Sequence, residues 1–343
     1  MAITLAEAKV GMADKVDQMV VDEFRRDSFL LDRLIFDDAV SPGTGGSTLT
    51  YGYMQLKTPS TAARRNINSE YATNEAKREQ KNAKLDIFGG AFEIDRVLQA
   101  TSGAVNEIEF QMQQKVKAAS NFFHYLVING SMEEKAGYKK CEFDGLRKLT
   151  EKTSTTKSAE GINLTDVENI NKYRDSFVLM MNSWLGGFAE KPDMLLMNGI
   201  MLNVIQYIGQ KMGYFSREKD DFGRAVLAYN DILLVDAGQY YDGTKEVSCV
   251  GIDDKTGMSS IVGVKIGLTG FHGICPKEKA AFIKSYLPDL NAPGAVKKGE
   301  AEMVAGVVLK NTRMAGILKD IQIVPTSSSS TPTEPTESDT MTE

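Results

Sequence analysis

Thr48-Leu49-Thr50-Tyr51-Gly52-Tyr53-Met54-Gln55-Leu56 and Lys84-Leu85-Asp86-Ile87-Phe88-Gly89-Gly90-Ala91-Phe92-Glu93-Ile94 are two runs of β-forming residues, and Pro59 to Asn82 between them is almost entirely polar. That polar segment carries Arg64, Arg65, Glu70, Glu75, Lys77, Arg78, Glu79 and Lys81. The pattern predicts a long hairpin over residues 47–96 with a charged tip. Two strands of about nine residues, rising about 3.3 Å per residue, reach about 30 Å. A two-stranded ribbon is marginal in water by itself, and this tip has almost no apolar side chain to anchor it. Two readings follow. The segment is a mobile surface loop, or it is an arm that packs on a neighbouring subunit, its mixed charges meeting complementary ones there.

On the N-terminal side, Val16, Met19, Val20 and Phe24, then Phe29 and Leu30, recur at three- and four-residue steps. Asp17, Asp22, Glu23, Arg25 and Arg26 fill the other face, so residues 4–36 read as an amphipathic helix. It packs on its own core or lies on another subunit; in the second case Phe24, Arg25, Arg26, Phe29 and Leu30 are the contacts. Ser41-Pro42-Gly43-Thr44-Gly45-Gly46 then breaks regular structure.

On the C-terminal side, residues 104–129 give the clearest helix. Ile108, Met112, Val116, Ala119, Phe123 and Leu126 mark one face, Asn106 is placed to cap the start, and Asn129-Gly130 to end it. At 1.5 Å per residue it spans about 35–40 Å, the spine of an elongated domain. Thr165 to Phe188 predicts a second helix, Pro192 to Asn198 a buried strand, and 200–212 a short helix. From 222 to 324 short strands take over: 232–235, 247–252, 261–266, 306–309 and 321–324. Pro325 to Glu343 is a Ser/Thr/Pro/Glu tail with no apolar run to offset ordering entropy, and disorder is expected there. The class is α+β.

Composition narrows the function. The 343 residues are 42% hydrophobic and 25% charged, enough for a real core and one or two lobes. A net charge of −6 is the wrong sign for a general nucleic-acid binder. The three cysteines, Cys141, Cys249 and Cys275, are odd in number and widely spaced, which argues against a disulfide framework and for a reducing cytoplasm. No secretion signal is visible at the start, and no stretch approaches the ~20 apolar residues of a membrane span.

Catalytic chemistry is poorly represented. Only His124 and His272 exist. His124 sits among Phe122, Phe123 and Tyr125 and reads as a packing residue. His272-Gly273-Ile274-Cys275 is one ligand-like pair, whereas a zinc site takes four ligands. Asp253 and Asp254 read as a solvated turn, and Met180, Met181, Met194, Met197, Met201 and Met212 as core filler. Gly43-Thr44-Gly45-Gly46 precedes a β run, the wrong order for a phosphate cradle. No cofactor or metal site is expected, and no enzyme activity.

The order of elements carries a resemblance. An amphipathic arm with Ser28-Phe29-Leu30-Leu31-Asp32-Arg33-Leu34, a Gly-rich break, a long charged hairpin, a spine helix ending in Ile128-Asn129-Gly130, Phe143-Asp144-Gly145-Leu146, a Pro-Asp-Met-Leu-Leu-Met-Asn strand and a β-rich end follow one another over about residues 5–324. The set resembles the major capsid protein family of tailed bacteriophages, with the Hong Kong 97-type fold shared with encapsulins. The resemblance implies an N-terminal arm (1–46), an extended loop (47–96), a peripheral domain with the spine helix (97–190), an axial domain with part of the peripheral domain (191–304), a closing β segment (305–324) and the tail (325–343). It implies hexamers and pentamers that close, in the host cytoplasm, into the icosahedral shell of a virion. That shell would enclose double-stranded DNA without sequence-specific binding or membrane contact, with a scaffolding protein, a portal and a decoration protein as partners. An arm starting near Met1 implies a separate scaffold or one already removed. Loop lysines at Lys57, Lys77, Lys81 and Lys84 occupy the region where some members cross-link, but no partner Asn is identified and that chemistry is not carried over. The alternatives are an encapsulin-type compartment shell, a soluble enzyme with a mobile charged lid at 59–82, and a tail-tube subunit, though such subunits are usually shorter and β-dominated.

Overall fold

A computed structural model of the chain describes residues 29–40, 45–97, 107–213, 216–219, 225–276 and 283–325. It opens with α1 (Phe29–Arg33), β1 (Phe36–Ala39), β2 (Thr50–Thr58), β3 (Lys77–Lys84), β4 (Asp86–Asp95) and the spine helix α2 (Glu107–Asn129). Short pieces follow: β5 (Gly130–Ser131), β6 (Lys139–Lys140), α3 (Leu146–Leu149) and β7 (Lys157–Ser158). Then come α4 (Val167–Leu185), β8 (Met194–Met197), α5 (Gly199–Met212), β9 (Ser216–Lys219), β10 (Ala225–Tyr229), β11 (Ile232–Asp236), β12 (Gln239–Tyr241) and β13 (Glu246–Ser248). The chain closes with β14 (Met258–Val264), β15 (Phe271–Pro276), β16 (Ile283–Tyr286), β17 (Val296–Leu309) and β18 (Ala315–Gln322).

One sheet runs β7-β18-β14-β8-β11-β10-β9. Its middle strand, Met194-Leu195-Leu196-Met197, is apolar at every position because both faces are covered. Leu195 and Met197 face α4 and α5 with Phe177, Trp184 and Ile205; Met194 and Leu196 face a second core with Phe123, Leu126 and Phe271. The two helices are set by their caps. The Asp166 carboxylate accepts the Asn169 amide at 2.8 Å, the Asn198 side chain accepts the Ile200 amide at 2.9 Å, and Gly213 closes α5 at φ 72°.

The other large sheet is built on β17, which pairs with β15, β16 and β4. The β4–β17 ladder runs from Asp86↔Ala305 to Asp95↔Val296. Its inner face presents Phe88, Phe92, Ala301 and Met303 to α2. β1 lies parallel to β15, and its Phe36 ring sits where a Cβ on Gly273 would stand only 2.5 Å away, so Gly273 permits the approach.

Several expectations need correction. The run 84–94 is not the second strand of the hairpin. It joins the body through β17, and the partner of β2 is the polar stretch Lys77–Lys84, expected as part of the tip. The reason is burial: Phe88 and Phe92 require a covered face and find it under α2, whereas a ribbon wet on nearly all sides tolerates Lys-Arg-Glu-Gln-Lys-Asn-Ala-Lys. The extended loop therefore ends at Lys84. The strand expected at 321–324 is Ala315–Gln322, that at 306–309 begins at Val296, and 247–252 shrinks to Glu246–Ser248. Phe271–Pro276 and Ile283–Tyr286 were not anticipated as strands. Residues 4–28, Asn106 and 326–343, which carry most of the expected arm helix, the expected spine-helix cap and the tail, lie outside the described residues.

Phe123 is fully buried, with ring centroids of Phe88, Phe143 and Phe36 at 5.3, 6.1 and 6.4 Å. Phe123→Ala should cost about 3–5 kcal/mol, read as a lowered denaturant midpoint in equilibrium unfolding.

Candidate assembly surface

The ladder between β2 and β3 runs from Thr50↔Lys84 to Leu56↔Arg78, is interrupted by one irregularity, and ends at Thr58↔Lys77. Period-two alternation splits β2 into two faces. Tyr51, Tyr53 and Gln55 are half-buried toward the body, while Met54 and Leu56 point outward at 63% and 62% exposure. β3 is exposed along its length apart from Ala83.

Residues 59–76 continue the ribbon as an exposed tip. The tip has local order. The Asn66 amide donates to Ser69 Oγ at 2.9 Å, Asn68 takes φ 64°, and the Asn74 side chain donates to Thr61. Arg65 stacks over the Tyr71 ring at 5.4 Å. Ile67, at 92% exposure, stands at the crest. Arg64, Arg65, Glu70, Glu75, Lys77, Arg78, Glu79 and Lys81 are all exposed. Among the described residues only Glu79 of these eight forms an ion pair, with Lys57 at 3.3 Å. The rest of the set is unpaired among the described residues. Between Lys57 and Lys84 there are seven cations and three carboxylates, a net +4, which leaves −10 on the remainder of a chain totalling −6.

The root of the hairpin is where it meets the body. The Tyr51 hydroxyl donates to Asp37 Oδ2 at 2.6 Å, and Lys310 Nζ lies 3.9 Å from the same oxygen and 5.3 Å over the Tyr51 ring. Gln55 Nε2 donates to the Lys310 carbonyl at 2.9 Å. Beneath them Tyr51, Tyr53 and Ala83 pack on Ala39, Leu85, Ile274 and Val308. Burial raises the Asp37 pKa, but the Tyr51 hydroxyl, the Asp38 amide and Lys310 together hold it below the ordinary carboxylate value. Burial and the hydrogen bond to Asp37 push the Tyr51 phenol up. Reading from sequence missed this cluster and the outward Met54, Leu56 and Ile67; the Tyr51/Tyr53/Gln55 alternation was the available signal.

Of the arm residues, Leu30 is fully buried in the chain's own core beside Leu34 and Phe123, which removes it from any surface open to a neighbour. Phe29 opens α1, and Phe24, Arg25 and Arg26 lie outside the described residues.

The titratable groups elsewhere are poorly placed for chemistry. His124 is buried, and burial alone pulls its pKa down to about 4. Burial pushes the Cys249 and Cys141 thiols up to about 12 and about 11, far from a reactive thiolate. No cluster of metal ligands is found among the described residues. A cleft of about 540 Å³ is lined by Asn129, Arg147, Asp253 and Asp320, but their polar groups are already engaged. Arg147 donates to Asn129 at 2.8 Å, Asp253 accepts turn amides, and Asp320 accepts the Ser158 hydroxyl.

No family model and no curated protein matches the sequence. Solved structures do match. An encapsulin from a holo complex of Synechococcus elongatus aligns at TM-score 0.64 and 12% identity, over 96% of this chain and 100% of that one. A structure from Mycobacterium phage Bobi aligns at 0.56 and 11%, over 96% and 100%. The capsid of Myoviridae phage XM1 aligns at 0.52 and 13%, over 93% and 99%. These likenesses assign the fold, the Hong Kong 97-type capsid fold: a mixed α/β chain with few helices and many strands.

Removing the Tyr51 hydroxyl leaves the ring in place and deletes one charge-assisted hydrogen bond. Tyr51→Phe should weaken seating of the root by about 1–2 kcal/mol, seen as amide exchange in residues 50–56 several-fold faster than wild type, with α5 unchanged.

Proposed function

We propose that this chain is the major capsid protein of a tailed bacteriophage, a subunit that self-assembles as hexamers and pentamers into the icosahedral shell around double-stranded DNA. The observation that carries the reading is the hairpin. It projects from the body with Met54, Leu56 and Ile67 exposed and a surplus of positive charge, and among the described residues only its root is covered. A second copy supplies what is missing: apolar surface for those three side chains and acidic surface for the cations. The candidate contacts are Arg64, Arg65, Glu70, Glu75, Lys77, Arg78, Glu79 and Lys81 in the loop and Phe24, Arg25, Arg26 and Phe29 in the arm.

In this reading the body divides into a peripheral part and an axial part. The peripheral part gathers α2, β4, β16 and β17 from both halves of the chain; the axial part is built on the sheet centred on β8. A scaffolding protein, a portal and a decoration protein are the partners, the shell forms in the host cytoplasm, and the chain has no catalytic role. The acidic body suits a container for DNA, because a wall that gripped phosphate would obstruct entry and exit.

A second reading, an encapsulin-type compartment that encloses a protein cargo, is favoured by the higher TM-score to the Synechococcus elongatus encapsulin, 0.64 against 0.52 and 0.56 for the phage structures. Electron microscopy of particles purified from the native source, with their nucleic acid and protein contents measured, separates the two. Packaged DNA supports the capsid, a single cargo protein supports the compartment, and a stable monomer defeats both.

Two outcomes are expected of the loop. Replacing residues 59–76 by a two-residue turn should leave the unfolding midpoint almost unchanged, because no core residue is lost, yet abolish particles in the electron microscope. Arg64→Glu combined with Arg65→Glu should weaken assembly and reverse part of its salt dependence, measured by light scattering between low and physiological ionic strength.

A further inference from the structure

His272 is the buried titratable group that the shell reading does not use. It lies on β15 with no exposed surface, and neither ring nitrogen has a hydrogen-bond partner. What covers it is the hairpin: the Tyr51 ring stands edge-on to the imidazole with centroids 6.0 Å apart. The facing charged and titratable groups come from three elements: Asp37 on β1, Tyr51 on β2, and Lys310 just past β17. Asp37 is already engaged by the Tyr51 hydroxyl and by Lys310, so its charge is shared before any proton reaches the imidazole.

We propose that this cluster is an acid-sensitive latch: a proton on His272 lifts the Tyr51 face of β2 off the body and frees the hairpin to change direction as a unit. The geometry supplies the mechanism. An imidazolium needs water or well-aligned acceptors for both N–H groups; neither ring nitrogen has a formed hydrogen bond, and the backbone of Gly267 and Gly270, which favours the protonated ring, does not offset burial. Opening is the small motion that admits water, because the root is a thin contact and the ladder between β2 and β3 does not depend on it. The outward face of the hairpin, with Met54 and Leu56, is exposed and, among the described residues, offers no packing that resists.

The sign follows from linkage. Burial, then Lys310, lowers the His272 pKa below 6.5, outweighing Asp37 and the backbone of Gly270 and Gly267, which raise it. The closed root therefore binds fewer protons than the open one. Closure is at full strength above the ordinary imidazole value and weakens as pH falls below it. One proton taken up by an imidazole of ordinary pKa favours opening by at most about thirtyfold at pH 5.0. Asp37, held below the carboxylate range, stays ionised across this window, so the change is assigned to the histidine.

The latch is a property of one chain. Its use in timing assembly rests on the shell reading, and the test is made on unassembled full-length protein so that each can fail without the other. Hydrogen exchange at pH 7.5 and 5.0, corrected for the intrinsic rate, is expected to lose about tenfold protection at pH 5.0 in residues 48–56 and 271–276, while α2 and α5 keep theirs. His272→Leu should erase that pH dependence. Should His272→Leu not fold, histidine side-chain NMR on the wild type decides. The chain has two histidines, so two imidazole signals are expected, and one must protonate over the pH range in which the root loses protection. Equal root protection at both pH values, loss spread equally over α2 and α5, or both imidazoles protonating with no change at the root would overturn the proposal.

Discussion

A ribbon two strands wide cannot hold itself in place, and the rest of this structure is arranged around that limit. β2 and β3 satisfy each other's backbone, but apart from Ala83 only one face of one strand, with Tyr51 and Tyr53, is partly buried. Those side chains, Tyr51 and Tyr53, are used at the base, on β1, β15 and β17. Beyond Gln55 the hairpin is exposed as far as Asn82. The cost of ordering such a segment is met by burial, and among the described residues the surface it packs on is at the root.

What makes the projection feasible is the rigidity of the platform. β17 runs for 14 residues and serves β15 at one end and β4 and β16 at the other, so the root and the spine helix are attached to the same strand. α2 then locks that strand with Met112, Phe123 and Leu126, and the last turn of α2 enters the core shared with the second sheet. Polar neighbours that would otherwise splay are tied down where the chain leaves α2: Asn129 donates to the Cys249 carbonyl at 2.7 Å and accepts from Arg147. A displacement at the hairpin root is thus transmitted to packed elements, while a displacement at the tip is not.

The elements with strong periodicity were legible in the sequence. α2, α4 and α5 lie within a few residues of their expected bounds, because three- and four-residue apolar steps and side-chain caps are local signals. The hairpin was legible as a feature and wrong in its pairing. Lys77–Lys84 has no β signature, since its strand character comes from the ladder to β2 rather than from its own side chains; the aromatic run 86–95 looked like the better partner and belongs to β17, more than 200 residues away. Phe271–Pro276 was hidden by Gly273, whose bare Cα exists to admit Phe36 from β1. Likewise the charged tip could be read from composition, but the Asp37–Tyr51–Lys310–His272 root could not. Its four residues are brought together by two sheet pairings of long sequence separation, β1–β15 and β15–β17, and by the packing of Tyr51 on them, and no local pattern encodes those.

Charge distribution then explains why a bare hairpin need not be an aggregation site. An exposed edge with Met54, Leu56 and Ile67 is a liability if any surface will cover it. Here the three apolar residues are interleaved with cations, and the hairpin's +4 stands against −10 on the rest of the chain. Two hairpins meeting tip to tip repel, whereas a hairpin meeting the body of another copy is attracted over a distance of order the Debye length, about 8 Å in physiological salt. The sign of the tip therefore selects one class of encounter before any close packing is tested, and the apolar residues add affinity only where the charges have already permitted approach. In the proposed shell such an interface would be head-to-tail, because the surface that gives and the surface that receives would be different parts of the same subunit. Repetition of a head-to-tail contact closes into rings or runs on indefinitely, according to the angle between the two surfaces. In the proposed shell that angle would be governed at the hairpin root, where Tyr51 seats on Asp37 and His272.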